Sequence, residues 1–459
     1  MMITLLKTSL PPIYCEYPRL EMQMKIALFP SVAVGCGPHF HTLEKPAIHI
    51  ENGRFVYIGS RADAPRFEAN ETVEGDHLVA MPGLINTHTH AAMTLLRGYA
   101  DDLPLEVWLQ TKIWPFEANL HSDDVYWGTM LACAEMIRGG TTTFCDMYFH
   151  ENRGVEAALK TGMRMCPGAV LLGFLPGSDE KIARSREFVH DWVGHDLITP
   201  FLAPHSLYTC DESQWRKIIA IAREENAIIT THASETQREV ADVTEKWGQS
   251  PIKTLQKLGA LGGHLLAAHC VFTDEADRDI MASNPFFVAH NPQSNLKLAS
   301  GIAPIEDYLW RGIGVGLGPD GTASNNNLDM WEEMRLAATL HKSTTHDATM
   351  VSAQQALKMA TIEGARCLGL ESEIGTLEEG KRADLVLVDF DKPHLYPRHN
   401  VTSHLVYAAE ASDVHSTIVN GKFLFRDGQY QTLDVREVCH ECNTRGQSLA
   451  EKANAGASG

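Results

Sequence analysis

The chain has 459 residues, of which 44% are hydrophobic, and its 39 basic and 58 acidic side chains give a formal net charge of −19. That length favours a large domain with a smaller module, and the negative charge argues against a nucleic-acid partner or an anionic membrane surface. No apolar run reaches the roughly 18 residues of a membrane-spanning helix, and the first residues are too interrupted for a signal peptide.

The N-terminal segment opens with an apolar patch and a Pro-Pro pair, and we expect residues 1–24 to form a disordered extension. Met22 and Met24 are candidate natural starts. The ten cysteines are scattered and sit mostly in apolar surroundings. Reduced thiols of this kind are typical of cytosolic proteins, so we expect a cytoplasmic location.

Short strands with hairpin turns follow. An Asn-Gly turn at Asn52-Gly53 separates two strand-like runs, and the same pattern returns near the other end around Asn420-Gly421. Asn-Gly between alternating apolar residues is a strong hairpin signal. The two ends therefore predict one small β-sandwich built from residues 25–82 and 378–440, followed by a C-terminal tail over residues 441–459.

The middle of the chain alternates strand-like and amphipathic helical stretches, which is the pattern of a parallel α/β barrel. We assign residues 83–377 to this (β/α)8, TIM-like barrel. The eight strands are predicted at 83–89, 141–147, 163–169, 198–204, 228–233, 265–269, 286–290 and 314–320.

Polar residues with ligating side chains end most of these strands. They are His88 and His90 on the first strand, His205, His232, His269 and His290 on the fourth to seventh, and Asp320 on the eighth. Catalytic groups project from the C-terminal ends of barrel strands, and residues two apart on a strand face the same side. Imidazoles with one carboxylate suit zinc or ferrous iron rather than magnesium or calcium. Taken alone, His290 is better explained as a buried core residue.

Motifs at the strand ends carry a family resemblance over nearly the whole chain. Stretches 82–90 (PGLINTHTH), 232–236 (HASET), 268–270 (AHC) and 318–321 (GPDG) resemble the amidohydrolase superfamily. Stretches 294–298 (SNLKL), 322–326 (TASNN) and 108–117 resemble its 5-methylthioadenosine/S-adenosylhomocysteine deaminases. Pro319 departs from the threonine that is common there, but it leaves Asp320 in place.

The resemblance implies a hydrolase with a single divalent ion, zinc or alternatively iron. The implied ligands are His88, His90, His232 and Asp320. The fourth strand ends in Pro204-His205 and lacks the lysine that bridges two metals in binuclear relatives. A metal with three or four protein ligands keeps a position for water and lowers the pKa of that water towards about 7.

The resemblance also implies the proton transfers at the site. Glu235 would protonate N1 of an adenine ring and then pass a proton to the departing ammonia. Asp320 would accept the first proton from water, and His269 would orient that water without being a ligand. Paired carboxylates in different environments divide acid and base work in this way.

The implied substrate is a 5′-modified adenosine, which is converted to the corresponding inosine derivative and ammonia. In the resembling enzymes the residue matching Glu117 bonds both ribose hydroxyls, the one matching Trp108 lies by the nucleoside, and the one matching His205 contacts the substrate. Residues 169–178 are apolar and contain no arginine for an amino-acid carboxylate. This favours 5′-methylthioadenosine over S-adenosylhomocysteine or adenosine.

Several other functions compete with this one. The nearest is a free-base or triazine aminohydrolase of the same superfamily, of the guanine, cytosine or s-triazine type, for which Glu117 would have no ribose to bind. A non-catalytic scaffold should have a broken ligand set. A polynucleotide deaminase would carry an H-x-E and a P-C-x-x-C motif. His49-x-Glu51 and Cys439-x-x-Cys442 resemble parts of these motifs, but both lie outside the predicted barrel. We therefore expect a small-molecule nucleoside as partner, no nucleic acid and no membrane, and we leave a homo-oligomer open.

Overall fold

A computed structural model describes residues 24–456 of the chain. The extension predicted over residues 1–24 lies outside the described residues, apart from Met24. Among the described helices, none combines the length and the apolar character that crossing a bilayer requires.

The strands fall into three groups along the chain. The first group is β1 (Lys25–Cys36), β2 (His41–Glu44), β3 (Pro46–Glu51), β4 (Arg54–Ser60) and β5 (Glu71–Pro82). The second is β6 (Leu84–Thr89), β7 (Thr141–Tyr148), β8 (Arg164–Leu171), β9 (Phe201–Pro204), β10 (Ile229–Ala233), β11 (Leu265–His269), β12 (Phe286–His290) and β13 (Gly314–Leu317). The third is β14 (Leu385–Asp389), β15 (Val414–Val419), β16 (Lys422–Arg426) and β17 (Gln429–Tyr430).

The second group closes into a parallel barrel in the order β6 to β13, so all eight predicted barrel strands are present. The last strand is shorter than predicted and ends at Leu317. Asp320, three residues later, has a φ of 63°, a left-handed conformation that a strand does not accommodate. Asp320 therefore lies in the loop after β13. The barrel closes between β13 and β6 through one registered pair, Leu317 and Asn86.

The first and third groups join in one nine-stranded sheet, with the order β17-β16-β15-β14-β5-β1-β3-β4 and β2 paired to β1. The two ends of the chain meet where β14 runs antiparallel to β5, with Leu385 opposite Pro82. Both Asn-Gly turns are present, and Asn52 and Asn420 have positive φ angles of 52° and 50°. The predicted TIM-like barrel is confirmed, and so is the additional β-structure from both termini, which takes the form of one nine-stranded sheet where a small β-sandwich was predicted.

Helices surround the barrel. They are α1 (Leu105–Trp108), α2 (Trp114–Glu117), α3 (Ser122–Arg138), α4 (Glu151–Thr161), α5 (Ser178–Trp192), α6 (Glu212–Glu225), α7 (Gln237–Trp247), α8 (Pro251–Leu258), α9 (Glu275–Ala282), α10 (Pro292–Lys297), α11 (Ile305–Trp310), α12 (Met330–Thr345), α13 (Ala353–Met359), α14 (Ile362–Cys367), α15 (Val401–Tyr407) and α16 (Val435–Gly456). A π-helical turn, Leu109–Ile113, joins α1 to α2. Short 3₁₀ turns lie at Arg61–Asp63, Ala91–Leu96, Ala260–Gly262, Pro393–Leu395 and Ala411–Asp413.

The C-terminal helix α16 differs from the predicted tail. The boundary predicted at residue 440 falls inside this one continuous helix. Its buried side chains Val438, Cys442, Leu449 and Ala453 recur at helical spacing. On the barrel side, Arg445 donates to the Asp124 carboxylate of α3 at 2.8 Å. A helix that packs against α3 and neighbouring segments thus stands where the sequence predicted a tail.

Candidate metal and active site

The site lies at the C-terminal ends of the barrel strands. His88 belongs to β6, His90 begins the 3₁₀ turn after it, and His232 and His269 lie at the ends of β10 and β11. Asp320 follows β13. Buried strands hold the backbone of His88, His232 and His269, and His90 and Asp320 lie in the segments that directly follow β6 and β13.

The ligating atoms converge at short distances. Nε2 of His88 and Nε2 of His90 each lie 3.3 Å from Oδ1 of Asp320. Nε2 of His232 lies 3.4 Å from Nε2 of His90. His88, His90 and Asp320 form one group with ligating atoms within 4.8 Å of one another, and His88, His232 and His269 form another. The four residues predicted as ligands are therefore brought together, and His269 borders the same point.

The hydrogen bonds of the imidazoles test whether a metal fits. Nδ1 of His90 is 2.7 Å from the carbonyl oxygen of Met147, and Nδ1 of His232 is 2.9 Å from that of His205. A carbonyl only accepts, so both Nδ1 atoms carry the proton and both Nε2 atoms present lone pairs. Those lone pairs face each other and the Asp320 carboxylate. Nε2 of His88 and Oδ1 of Asp320 are also buried without a hydrogen-bond partner. A divalent cation would satisfy these lone pairs and the unpartnered carboxylate oxygen together, so the residues fit a metal.

Burial and hydrogen bonds hold these groups in the ligating state. Burial lowers the pKa of His88 to about 4, and it lowers the pKa of His232 well below its ordinary value. Burial alone would raise the pKa of Asp320, but the adjacent side chains of His88, His90 and His269 outweigh it and the pKa falls. Ser294 and Ser324 donate to Oδ2 of Asp320 at 2.7 and 2.8 Å, which leaves Oδ1 for the ion.

Glu235 lies beside this cluster and is 8% exposed. Its Oε2 is 3.8 Å from Nε2 of His269, and its Oε1 accepts a hydrogen bond from Ser300 at 3.2 Å. Nδ1 of His269 is 2.8 Å from the Asn295 side-chain oxygen, which accepts. Burial alone would lower the pKa of His269, but the Glu235 and Asp320 carboxylates outweigh it and the pKa rises.

Glu117 lines the same cavity from the end of α2. Tyr148, at the end of β7, donates its hydroxyl to Oε1 of Glu117 at 2.8 Å. Burial raises the pKa of Glu117 to about 7, and the Tyr148 hydrogen bond opposes that rise. The Tyr148 ring is also 6.4 Å from the ring of His90. Tyr148 thus lies between the predicted ribose carboxylate and the predicted metal ligand His90.

The other two predicted substrate residues also line this cavity, which has a volume of about 80 Å³. Burial lowers the pKa of His205 to about 3, so its imidazole is neutral, and its ring centroid is 4.6 Å from that of His232. The indole N–H of Trp108 donates a hydrogen bond to the carbonyl oxygen of Ala100 at 3.0 Å. Trp108 therefore offers a fixed aromatic face rather than a free donor.

His290, also at a strand end, has a different role. Its Nε2 is 3.2 Å from Nε2 of His341 on α12, and both residues are fully buried. It is not among the described residues around the cavity. This matches the interpretation of His290 as a core residue.

Sequence reasoning missed the residues that orient the predicted ones. Ser294, Asn295 and Ser324 lie in stretches that carried the family resemblance, so the signal was present but no role was assigned. Tyr148 gave no signal beyond its place at the end of a strand, because its partner Glu117 is on a different element.

A second, larger cavity of about 1110 Å³ adjoins the first, and the two share Trp114, Glu117, Phe149 and Leu172. Its wall includes Lys181 and Arg184, which lie one turn apart on α5. The same wall also carries the acidic side chains of Glu151 and Glu180. The Lys181 ammonium is 5.5 Å from the Phe149 ring, and burial lowers its pKa.

Comparison with known proteins gives consistent results. Residues 79–424 match the Amidohydrolase family. A protein named 5-methylthioadenosine/S-adenosylhomocysteine deaminase from Desulforamulus reducens is 45% identical over 413 residues, covering 89% of this chain and 95% of that protein. The crystal structure of an adenosine deaminase from Xanthomonas campestris with bound zinc is similar at a TM-score of 0.90 and 37% identity, covering 93% of this chain and 98% of that one. An atrazine chlorohydrolase from Arthrobacter aurescens complexed with zinc is 22% identical, has a TM-score of 0.86, covers 92% of this chain and 100% of its own, and shows the fold alone.

Proposed function

The chain belongs to the amidohydrolase family, and from that membership we propose that it hydrolytically deaminates a 5′-modified adenosine. The products are the corresponding inosine derivative and ammonia. The observation that carries the proposal is a complete metal donor set in the same cavity as Glu235 and the Tyr148-bonded Glu117. Relatives and a similar structure are named as deaminases of adenosine compounds.

We propose that His88, His90, His232 and Asp320 hold one divalent ion, zinc or alternatively iron. The nitrogen-rich donor set and the zinc of the similar deaminase support zinc. When bound, the ion supplies Lewis-acid activation of water. Ser294 and Ser324 donate hydrogen bonds to Oδ2 of Asp320, which leaves Oδ1 free to bind the ion.

The side chains around the ion divide the proton transfers. Glu235 delivers a proton to N1 of the adenine ring, which makes C6 susceptible to attack by water. Asp320 takes a proton from that water. Glu235, now a carboxylate, takes the remaining proton from the oxygen that has added to C6 and passes it to the C6 amino group, so the C6–N bond breaks and ammonia leaves. The proton held by Asp320 then returns to Glu235, which restores the starting state. His269, held by Asn295, orients the water by a hydrogen bond.

Substrate contacts follow from the cavity wall. Glu117 accepts hydrogen bonds from both ribose hydroxyls, and the Tyr148 hydroxyl keeps its carboxylate in place. Trp108 packs against the nucleoside, and neutral His205 contacts the substrate rather than the ion.

The 5′ substituent would enter the larger adjoining cavity. Leu172 and Phe174, from the apolar stretch 169–178, line this cavity with Phe149 and would suit the methylthio group. Lys181 and Arg184 add cations that the sequence interpretation did not include, because they lie on α5, beyond that stretch. They would pair with a carboxylate, so S-adenosylhomocysteine remains a second substrate beside 5′-methylthioadenosine.

The competing function is a free-base or triazine aminohydrolase. The neighbour that shares only the fold is named as a chlorohydrolase of atrazine. Neither a free base nor a triazine has a ribose diol for Glu117. The partner we propose is a small molecule, and the oligomeric state stays open. The nine cysteines that the structure describes are all unpaired, which supports the cytoplasmic location.

The test compares ammonia release from adenosine, 5′-methylthioadenosine, S-adenosylhomocysteine, guanine, cytosine and an aminotriazine. We expect 5′-modified adenosines to have the highest kcat/KM. The wild type should also discriminate against the 2′,3′-dideoxy analogue, because that ligand leaves a buried carboxylate without partners.

Glu117→Ala should lower kcat/KM on the ribonucleoside by at least about 100-fold, since two charge-assisted hydrogen bonds are lost. The variant should keep its metal and lose most of the discrimination against the dideoxy analogue. Equal wild-type rates on the ribo and dideoxy substrates would refute the role of Glu117 and favour the free-base function.

A further inference from the structure

An unusual hydrogen-bond pattern precedes α7, the helix that follows Glu235. The N-cap residue Thr236 accepts from the main-chain N–H of Glu239 at 3.0 Å, which is ordinary capping. In a capping box, the acid at the third helical position bonds the N–H of the N-cap residue itself. Glu239 instead reaches past Thr236. Its two carboxylate oxygens accept the main-chain N–H groups of Ser234 at 3.0 Å and Glu235 at 2.6 Å.

This arrangement is energetically costly. Glu239 is 8% exposed, and burial raises the pKa of its carboxyl to about 7. Ser234 has a φ of 55°, in the left-handed region that a serine seldom adopts. Strained backbone conformations of this kind cluster at functional sites.

The ordinary alternative is visible elsewhere in the same barrel. At the start of α9, Asp277 is also a buried acid at the third helical position, and it accepts the N–H of its own N-cap Asp274 at 3.2 Å. Asp277 does not line the described site cavity. Helix capping alone therefore does not require the reach that Glu239 makes.

We propose that Glu239 is a positioning residue for Glu235, whose main-chain N–H it holds so that the carboxylate of Glu235 meets the substrate ring. Glu235 is anchored on two sides, by Glu239 at its main chain and by Ser300 at its carboxylate. Glu239 itself does not touch the substrate. The inference rests on the proposed role of Glu235 as proton donor.

The test is a double-mutant cycle with Glu239→Gln, which has one acceptor oxygen where the glutamate has two. Glu239→Gln should lower kcat by about 10-fold with KM little changed and with normal metal content. In the Glu235→Gln background, adding Glu239→Gln should cause no further loss. The matched control Asp277→Asn removes a buried capping acid and should leave kcat unchanged. Equal losses in both backgrounds would mean that Glu239 is merely structural, which overturns the proposal.

A second readout needs no substrate. In Glu239→Gln, hydrogen exchange at the amides of Ser234 and Glu235 should be at least about 10-fold faster, while Asp277→Asn should not change it. Unchanged exchange would overturn the inference even for an active enzyme. If Glu239→Gln is poorly folded, Glu239→Asp, which keeps the charge on a shorter side chain, takes its place. Wild-type inactivity on all nucleosides tests the proposed function alone, because the exchange result stands independently.

Discussion

The imidazoles of the site are oriented by main-chain carbonyls. The carbonyl oxygens of Met147 and His205 accept from Nδ1 of His90 and His232, so the opposite nitrogens face inward as lone pairs. Carbonyl acceptors of this kind determine the tautomer and the ring orientation of a histidine in the absence of the metal. Asp320 is also oriented by hydrogen bonds, because two serine hydroxyls donate to its Oδ2. The donor set is therefore preorganised, and little rearrangement is needed to bind an ion.

Glu235→Gln separates acid–base chemistry from metal binding. Glutamine keeps the shape and the hydrogen bond from Ser300 but cannot cycle a proton. We expect a fall in kcat of at least about 100-fold with near-normal metal content. Metal analysis beside the kinetics checks this. Loss of metal in the variant would make Glu235 a ligand and contradict the proposed roles.

The pKa of Glu117 predicts a pH dependence. Burial raises that pKa to about 7, and the ionised form is the better acceptor for two ribose hydroxyls. As pH falls through about 7, kcat/KM on the nucleoside should therefore fall. Tyr148→Phe removes the hydroxyl that favours the carboxylate, so the pKa should rise and the acidic limb should move to higher pH. The pH profile of kcat/KM measures this, with Glu117→Gln as the control that lacks the ionisation.

A short helical segment forms part of the wall of the site cavity. α1, the π-helical turn Leu109–Ile113 and α2 contribute Trp108, Trp114 and Glu117 to the cavity wall. The cavity of about 80 Å³ is smaller than the about 300–1,000 Å³ of typical ligand pockets. π-Helical turns often occur at functional sites. We infer that this segment shifts outward to admit a nucleoside.

Tryptophan fluorescence tests that movement. Titration with the inosine product should change the emission, because Trp114 lies between the two cavities. Trp114→Phe should lose most of the change. Trp310→Phe should retain it, since Trp310 is 80% exposed and does not line the described cavities. A change that persists in Trp114→Phe would contradict movement of this segment.

At the scale of the whole molecule, the proposed metal ligands come from parts of the barrel that are distant in sequence. They come from β6, β10 and the loop after β13, while β13 and β6 themselves share one registered pair. An ion held there links the first and last barrel strands. Binding to the folded state alone stabilises a protein in proportion to the logarithm of ligand concentration over Kd. The metal should therefore contribute to global stability as well as to catalysis.

Chelation tests this contribution. Removing the metal should lower the Tm by at least about 5 °C, because tight native-state binding contributes several kcal/mol. His232→Ala should lose the ion and nearly all turnover, and its Tm should then be insensitive to the chelator. Differential scanning calorimetry with metal analysis measures both. Full metal retention with normal activity in His232→Ala would exclude His232 as a ligand.

The sequence by itself determined the barrel, the β-unit from both termini and the family. These depend on local signals: alternation of strand and helix patterns, Asn-Gly turns, and ligating residues at strand ends. In a barrel all strand ends meet at one rim, so local pattern and topology together predicted that His88, His232 and Asp320 converge. They do converge, with side-chain atoms 3.3–3.4 Å apart among the imidazoles and the carboxylate.

Only the tertiary structure decided which groups orient that set. The Tyr148 bond to Glu117, the reach of Glu239 to Ser234, and the cations of α5 beside the site depend on how separate elements pack. The C-terminal helix is ordered in the same way by α3. Such contacts leave no periodic trace along the chain, because hydrogen bonds and burial are set by distances in space. The residue types indicated the chemistry, whereas the hydrogen bonds that orient these residues depend on how separate elements pack.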